Sequence, residues 1–217
     1  MDGLDAVLID MDGTVVDSEP YWIRNEHELV AEFGGTWTAA DAHSIVGFDL
    51  LDAAVQLRDR GGVRLDPPDI VERLLDGVIA DCRRELPWRP GARELLESIG
   101  DAGVPCVLVT MSWRRFADAV IDAAPDGVFA GSITGDEVER GKPAPDPYLA
   151  AAELLGVDPG RCVAIEDSPT GAASALAAGC RTIAVPHVVD VPPRAGLTIW
   201  SSLDGVTVDD LRAIVPA

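Results

Sequence analysis

The run Ala6-Val7-Leu8-Ile9, followed at once by Asp10-Met11-Asp12-Gly13-Thr14, constrains this chain more than any other feature. Four consecutive apolar residues closed by a turn signal read as a short strand buried on both faces, the kind found inside parallel sheets. Ligands of such sheets bind just beyond the carboxyl ends of the strands. Two aspartates two positions apart at that place can share a cation while one of them still faces a substrate. Asp10 and Asp12 are therefore the first candidate site residues.

The rest of the chain repeats the theme. Strand-like runs fall at residues 4–10, 105–110, 128–134, 162–166 and 181–185, and helical patterns at 92–101, 115–124, 147–155 and 171–178 lie between most of them. Alternation of this kind predicts an α/β fold, a Rossmann-like parallel sheet covered by helices on both faces. A further strand is expected near 197–200 and a short helix at 208–214. One gap breaks the rhythm: about ninety residues separate the first two strands, far more than a crossover needs. Within it, residues 19–85 read as helical only. Trp22, Ile23, His27, Leu29, Val30 and Phe33 form one stripe ended by Gly34-Gly35, residues 49–57 form another, and residues 70–79 a third, preceded by Pro67-Pro68. The expected organisation is a core of residues 1–16 and 88–217 with an inserted all-helical cap domain at 17–87. Hinges are expected at 16–18 and 86–90.

Composition excludes several classes. A formal net charge of −20 leaves no basic stripe for nucleic acid or an anionic membrane. No apolar stretch reaches the roughly 18–20 residues that span a bilayer, and the start of the chain lacks the basic and apolar regions of a secretory signal. The four cysteines show no Cys-x-x-Cys spacing, and Cys106, Cys162 and Cys180 fall in or beside strand-like runs, where a reduced thiol acts as a small hydrophobe. A cytoplasmic protein without disulfides is expected, working as a monomer or weak dimer. The same acidity means that a site for an anionic substrate needs local positive charge.

The 17 basic residues are sixteen arginines and one lysine, Lys142, in Gly141-Lys142-Pro143-Ala144-Pro145-Asp146-Pro147. An ammonium is a compact charge suited to a single anionic oxygen. Two more elements sit at strand ends. Thr110-Met111-Ser112 offers hydroxyl and backbone N–H donors for anionic oxygens, and Glu166-Asp167 precedes Ser168-Pro169-Thr170-Gly171 at the start of a helix. Each has an ordinary explanation alone, as a helix cap or a stray surface lysine. Together, in this order, they make a phosphoryl-transfer set.

These motifs resemble the haloacid dehalogenase superfamily, specifically its phosphatase and β-phosphoglucomutase-like branch with a helical cap. The resemblance runs through Asp10-x-Asp12-Gly-Thr-Val-x-Asp17-Ser18-Glu19-Pro20, Thr110-Met111-Ser112, Gly141-Lys142-Pro-Ala-Pro-Asp-Pro and Glu166-Asp167-Ser-x-x-Gly171, and so covers nearly the whole chain. It implies a Mg²⁺ cofactor and an aspartyl-phosphate intermediate. By analogy Asp10 is the nucleophile and Asp12 the general acid and base. Mg²⁺ is taken by the Asp10 and Asp167 carboxylates and the Asp12 backbone carbonyl, with Glu166 as an outer ligand or support. Lys142 and Thr110, with Met111 and Ser112 in the same turn, hold the phosphoryl oxygens.

Departures from relatives narrow the chemistry. Dehalogenases do not use the second aspartate, and phosphonoacetaldehyde hydrolases need a second lysine, which this chain lacks. Matching the β-phosphoglucomutase motif onto the chain puts Trp22 where that branch carries a hinge histidine and Leu50 where it carries a cap arginine. Hydrolysis of a small phosphorylated metabolite, a sugar or sugar-alcohol phosphate, is therefore expected, with a phosphomutase or a non-catalytic phosphometabolite sensor as alternatives. Trp22, Trp88 and Trp113 are candidates for the leaving-group pocket, or else for cap and hinge core. His187 shows no clear partner, and one of Arg114 and Arg115 either faces the substrate or starts a solvated helix.

Overall fold

The computed structural model describes residues 3–45 and 48–215. Met1, Asp2, Val46, Gly47, Pro216 and Ala217, which the expected domain ranges include, lie outside the described residues. In chain order, β1 (Ala6–Ile9) leads into helices α1 (Glu19–Glu32), α2 (Ala39–His43), α3 (Leu50–Asp59) and α4 (Pro67–Arg84). Then follow α5 (Ala92–Asp101), β2 (Cys106–Val109), α6 (Arg114–Ala123), β3 (Phe129–Ile133) and α7 (Asp146–Leu155). The chain finishes with β4 (Cys162–Glu166), α8 (Pro169–Ala178), β5 (Arg181–Ala184), β6 (Leu197–Ile199) and α9 (Val208–Arg212). It divides into two compact units, Met1–Asp17 with Pro87–Ala217 and Ser18–Leu86.

The first unit is α/β. Its six strands form one sheet in the order β3-β2-β1-β4-β5-β6, and every pairing is parallel. β1 lies between β2 and β4, so the strand order reverses there, and the crevice at the carboxyl ends of β1 and β4 is the place where a doubly wound sheet binds ligands. β1 and β2 are apolar throughout because both of their faces are covered. On one face Ala6, Leu8, Val107, Val109, Cys162 and Ala164 pack with Tyr148 and Ala151 of α7 and Ala175 of α8. Alternation along a strand turns Val7, Ile9 and Leu108, all fully buried, to the other face.

Where the chain leaves and re-enters this unit, its two strands are laced together. Arg89 N–H donates to Val15 O (2.9 Å), Val16 and Trp88 form an antiparallel bridge, and Asp17 N–H donates to Pro87 O (2.7 Å). The expected hinge segments are thus largely paired backbone on the α/β side. His187, for which the sequence suggests no partner, places Nε2 3.1 Å from Asp17 Oδ1 in the same unit.

Among its described residues the second unit carries helices α1 to α4, with α4 packed on α1 and α3. On α4, Ile70, Val71, Leu74, Leu75, Val78, Ile79 and Cys82 are buried at three- and four-residue spacing. Pro67 and Pro68 occupy its first turn instead of preceding it, because the first helical N–H groups have no partner to lose. α2 was invisible to hydrophobic periodicity. Its signal is local: Thr38 and Asp41 form a capping box in which each side chain takes the other's backbone N–H. On α1 the buried positions are Glu26, Leu29 and Val30, so a carboxylate replaces the expected His27 on the inner face. Glu26 is tolerated there because Trp37 Nε1–H donates to its Oε2 at 3.0 Å.

Burial raises the Glu26 carboxyl to about 7; the Trp37 hydrogen bond opposes this and the Glu19 charge adds to it. A carboxyl whose folded value is raised contributes stability that is fully present below its unfolded value and is lost as pH rises through the folded one. Stability should therefore fall between pH 4.5 and 7 on account of Glu26. Glu26→Gln, which keeps an acceptor for Trp37, should flatten that fall and leave the variant more stable than wild type at pH 8, by on the order of 2–3 kcal/mol at most. Urea unfolding at pH 4.5 and 8 measures it; equal pH dependence of the two proteins would contradict the assignment.

Candidate active site

The site is built from the segments that leave β1, β2, β3 and β4 at the carboxyl edge of the sheet. Asp10 follows β1 directly, and its N–H still donates to Ile165 O on β4 at 3.0 Å. The chain then coils tightly: the N–H groups of Thr14, Val15 and Val16 all converge on Met11 O at 3.3, 2.9 and 3.0 Å, and Gly13 N–H donates to Val16 O at 2.7 Å. Gly13 has φ +84°, and a Cβ there would fall on Asp167 Oδ2, so both conformation and space require glycine. The coil brings Thr14 Oγ1 back to donate to Asp10 Oδ2 at 2.9 Å. Thr14 belongs to the sequence motif without an evident role; its role is to fix the rotamer of Asp10.

Asp12 projects toward the β2 segment. Ser112 Oγ donates to Asp12 Oδ2 at 2.7 Å, and Thr110 Oγ1 lies 3.4 Å from the same oxygen. Thr110 Oγ1 also accepts the N–H of Ser112 at 3.0 Å, closing the turn on itself. The hydroxyls expected to grip a phosphoryl group are therefore engaged with Asp12. Met111 directs its sulfur to the Lys142 N–H at 3.4 Å, tying the β2 turn to the loop between β3 and α7.

Lys142 enters from that loop and is buried to the tip. Its Nζ lies 2.6 Å from Asp10 Oδ1, 2.6 Å from Glu166 Oε1 and 2.9 Å from Val109 O, so its three N–H bonds each have an acceptor. Tyr148 donates its hydroxyl to Glu166 Oε1 at 2.6 Å, and its ring centroid is 5.4 Å from Nζ. A Cβ on Gly171 would fall on the Glu166 carboxylate, so the start of α8 must be bare at that position.

The electrostatics follow from burial. Burial alone would depress the Lys142 ammonium, but the charges of Asp10 and Glu166 and the hydrogen bonds to them outweigh it and hold it above its ordinary value. Burial raises Glu166 to about 7, with Lys142 pulling down and Asp10 pushing up. Burial raises Asp167 to about 8, and the charges of Asp10 and Glu166 add to the rise. Ligand atoms of Asp10, Glu166 and Asp167 lie within 4.8 Å of one another. Three carboxylates facing one ammonium leave excess negative charge on an all-oxygen donor set, which suits a hard divalent cation.

The remaining sequence candidates stand on other elements or are engaged otherwise. Trp88 sits in the laced crossing, Trp113 is the N-cap residue of α6, and Trp22 is on α1 of the helical unit. Arg114 is engaged elsewhere: its backbone N–H donates to Asp136 Oδ1 at 3.0 Å, and its guanidinium donates to Glu137 and the Ser132 hydroxyl. Thr14 and Tyr148 are the contributions that motif reading missed. Spacing alone hints at them, since Thr14 stands four residues after Asp10 and Tyr148 six after Lys142.

A family model described as haloacid dehalogenase-like hydrolase matches residues 4–179. Hexitol phosphatase A of Escherichia coli (strain K12) is 34% identical over 217 residues, covering 93% of this chain and 92% of that protein. Among solved structures, a mutant CbbY from Rhodobacter sphaeroides in complex with xylulose-1,5-bisphosphate superposes with a TM-score of 0.84 at 26% identity, over 99% of this chain and all of that one. A putative β-phosphoglucomutase from Thermotoga maritima gives 0.80 at 25% identity, over 97% of this chain and 99% of that one. Among the described residues, no helix is long and apolar enough to cross a membrane. The chain thus belongs to the haloacid dehalogenase-like hydrolases and is a phosphatase of their β-phosphoglucomutase-like branch.

Proposed function

We propose that this phosphatase hydrolyses the monoester of a small sugar or sugar alcohol through a phosphoryl group carried on Asp10. The observation that carries the reading is the clamp on that carboxylate: Thr14 holds one oxygen and Lys142 the other, at the end of the strand beside the reversal of the sheet. A carboxylate so held is preorganised for in-line attack, and catalysis of phosphoryl transfer is mostly positioning and charge stabilisation.

In the first step an Asp10 oxygen bonds to phosphorus as the bond to the leaving oxygen breaks, and Asp12, protonated, gives its proton to the departing alkoxide. In the second, Asp12 as carboxylate takes a proton from water, whose oxygen bonds to phosphorus while the bond to Asp10 breaks and phosphate departs. Ser112 orients Asp12 for both transfers. Lys142 stands where it can neutralise Asp10 against an approaching anion, and it binds a phosphoryl oxygen by exchanging one of the three acceptors it now holds. Mg²⁺, which the donor set fits, would be held by Asp10, Asp167 and the Asp12 main-chain carbonyl with Glu166 beside it, and supplies further charge neutralisation at phosphorus. The backbone of the Thr110-Met111-Ser112 turn would add N–H donors for the phosphoryl group.

The substrate class is supported by the likeness to hexitol phosphatase A across nearly the whole chain. Trp88 and Trp113 belong to the same unit as Asp10 and would be the ring faces available to a carbon skeleton. Hydrolysis is favoured over phosphomutation because Trp22 and Leu50 replace the histidine and arginine of the mutase motif.

The test is inorganic phosphate release, with Mg²⁺, from a panel of phosphorylated sugars, polyols and nucleotides. Release confined to sugar or polyol monophosphates is expected; turnover of a sugar bisphosphate to its isomer would instead make the enzyme a mutase. Asp10→Asn should lower the rate by at least about a thousandfold with an unchanged circular dichroism spectrum. Asp12→Asn should cost about 10²–10⁴-fold while keeping the Mg²⁺ affinity measured by calorimetry, since only its main chain is assigned to the metal. Wild-type rates in either variant would contradict these roles.

A further inference from the structure

Lys142 is the chain's single lysine, and all of its hydrogen-bonding capacity is spent inside the protein. An ammonium in that state is as well aimed as its least constrained partner. Val109 O is fixed by β2, and Asp10 is clamped by Thr14. Glu166 is different: among the described residues its Oε2 has only a long contact of 3.4 Å from Ser168 Oγ, and on the Gly171 side the carboxyl meets a bare Cα that packs against it but offers it no hydrogen bond. The group that fixes its rotation is the Tyr148 hydroxyl, at 2.6 Å on the same oxygen that receives Lys142. Tyr148 is fully buried in the core between β1, β2, β4 and α7, so its ring cannot follow a moving carboxylate. The ring also closes one side of Nζ.

We propose that Tyr148 is the positioning residue of the site: through Glu166 it aims the Lys142 ammonium at Asp10 and at the phosphoryl oxygen. Its ring is part of the core, but its hydroxyl is part of the catalytic apparatus. The proposal rests on the reading of Lys142 as the phosphoryl-binding cation. Loss of the hydroxyl leaves Glu166 Oε1 hydrogen-bonded to Lys142 alone, so that the carboxyl can turn and draw the ammonium away from Asp10.

Because the chain has one lysine, protein labelled with ¹⁵N-lysine carries one side-chain ammonium signal, and that signal reports Lys142 without assignment. A buried ammonium with three acceptors exchanges its protons slowly. Tyr148→Phe should shift this resonance and accelerate its hydrogen exchange severalfold. With p-nitrophenyl phosphate as probe, kcat should fall about tenfold to a hundredfold with little change in KM. Leu155→Ala, which trims the same core remote from the lysine, should lower Tm without changing the ammonium signal. An unaltered signal and kcat in Tyr148→Phe would overturn the proposal. So would a change in Tyr148→Phe that Leu155→Ala reproduces, for that would make Tyr148 only core. The ammonium signal does not depend on turnover, so it decides the role of Tyr148 whether or not the functional reading stands.

Discussion

A lone ammonium among carboxylates is the constraint around which the α/β unit is arranged. Asp10, Glu166 and Asp167 would repel one another at the depth where they sit, and each is there because Lys142, hydrogen-bond donors and space for a cation offset that repulsion. Removing one partner of a buried ion pair leaves an uncompensated charge, which is the expensive outcome. The local choices follow: threonine at 14 to hold the free Asp10 oxygen, tyrosine at 148 to hold Glu166, and glycines at 13 and 171 because a Cβ would occupy the space of a carboxylate.

The topology makes this clustering possible. Neighbouring strands β1 and β4 end together, so Asp10 and Glu166 are brought side by side although 156 residues separate them. The reversal of strand order at β1 parts the loops on either side, and that is where sheets of this kind bind their ligands. Burial on both faces also explains why β1 and β2 are short and wholly apolar, with Asp10 and Thr110 coming at the first residue beyond them and Glu166 at the last residue of β4.

Much of this was legible in the sequence, and the reasons differ by element. The strands stand out because a four-residue apolar run ending in Asp-x-Asp or Thr-x-Ser has few other readings. Lys142 stands out because it has no competitor. What was hidden is equally specific. Glu26 lies on the buried face of α1, where a periodicity argument assigns every carboxylate to solvent. Tyr148 sits in the apolar stripe of α7, and nothing in a stripe distinguishes a ring packed for volume from one that carries a hydroxyl to Glu166. The pairing of His187 with Asp17 joins residues far apart in the chain, which no local pattern encodes. The engagement of Ser112 with Asp12, where a direct grip on phosphate was expected, depends on rotamers that follow from packing.

The claim on which the account turns is that phosphate passes through Asp10. Rapid acid quenching during turnover of p-nitrophenyl phosphate, followed by peptide mass spectrometry, tests it directly. A phosphoryl adduct on the peptide containing Asp10, appearing within the first turnover and absent from Asp10→Asn, is the predicted result. Steady hydrolysis with no phosphorylated peptide, or with the adduct on another residue, would contradict it.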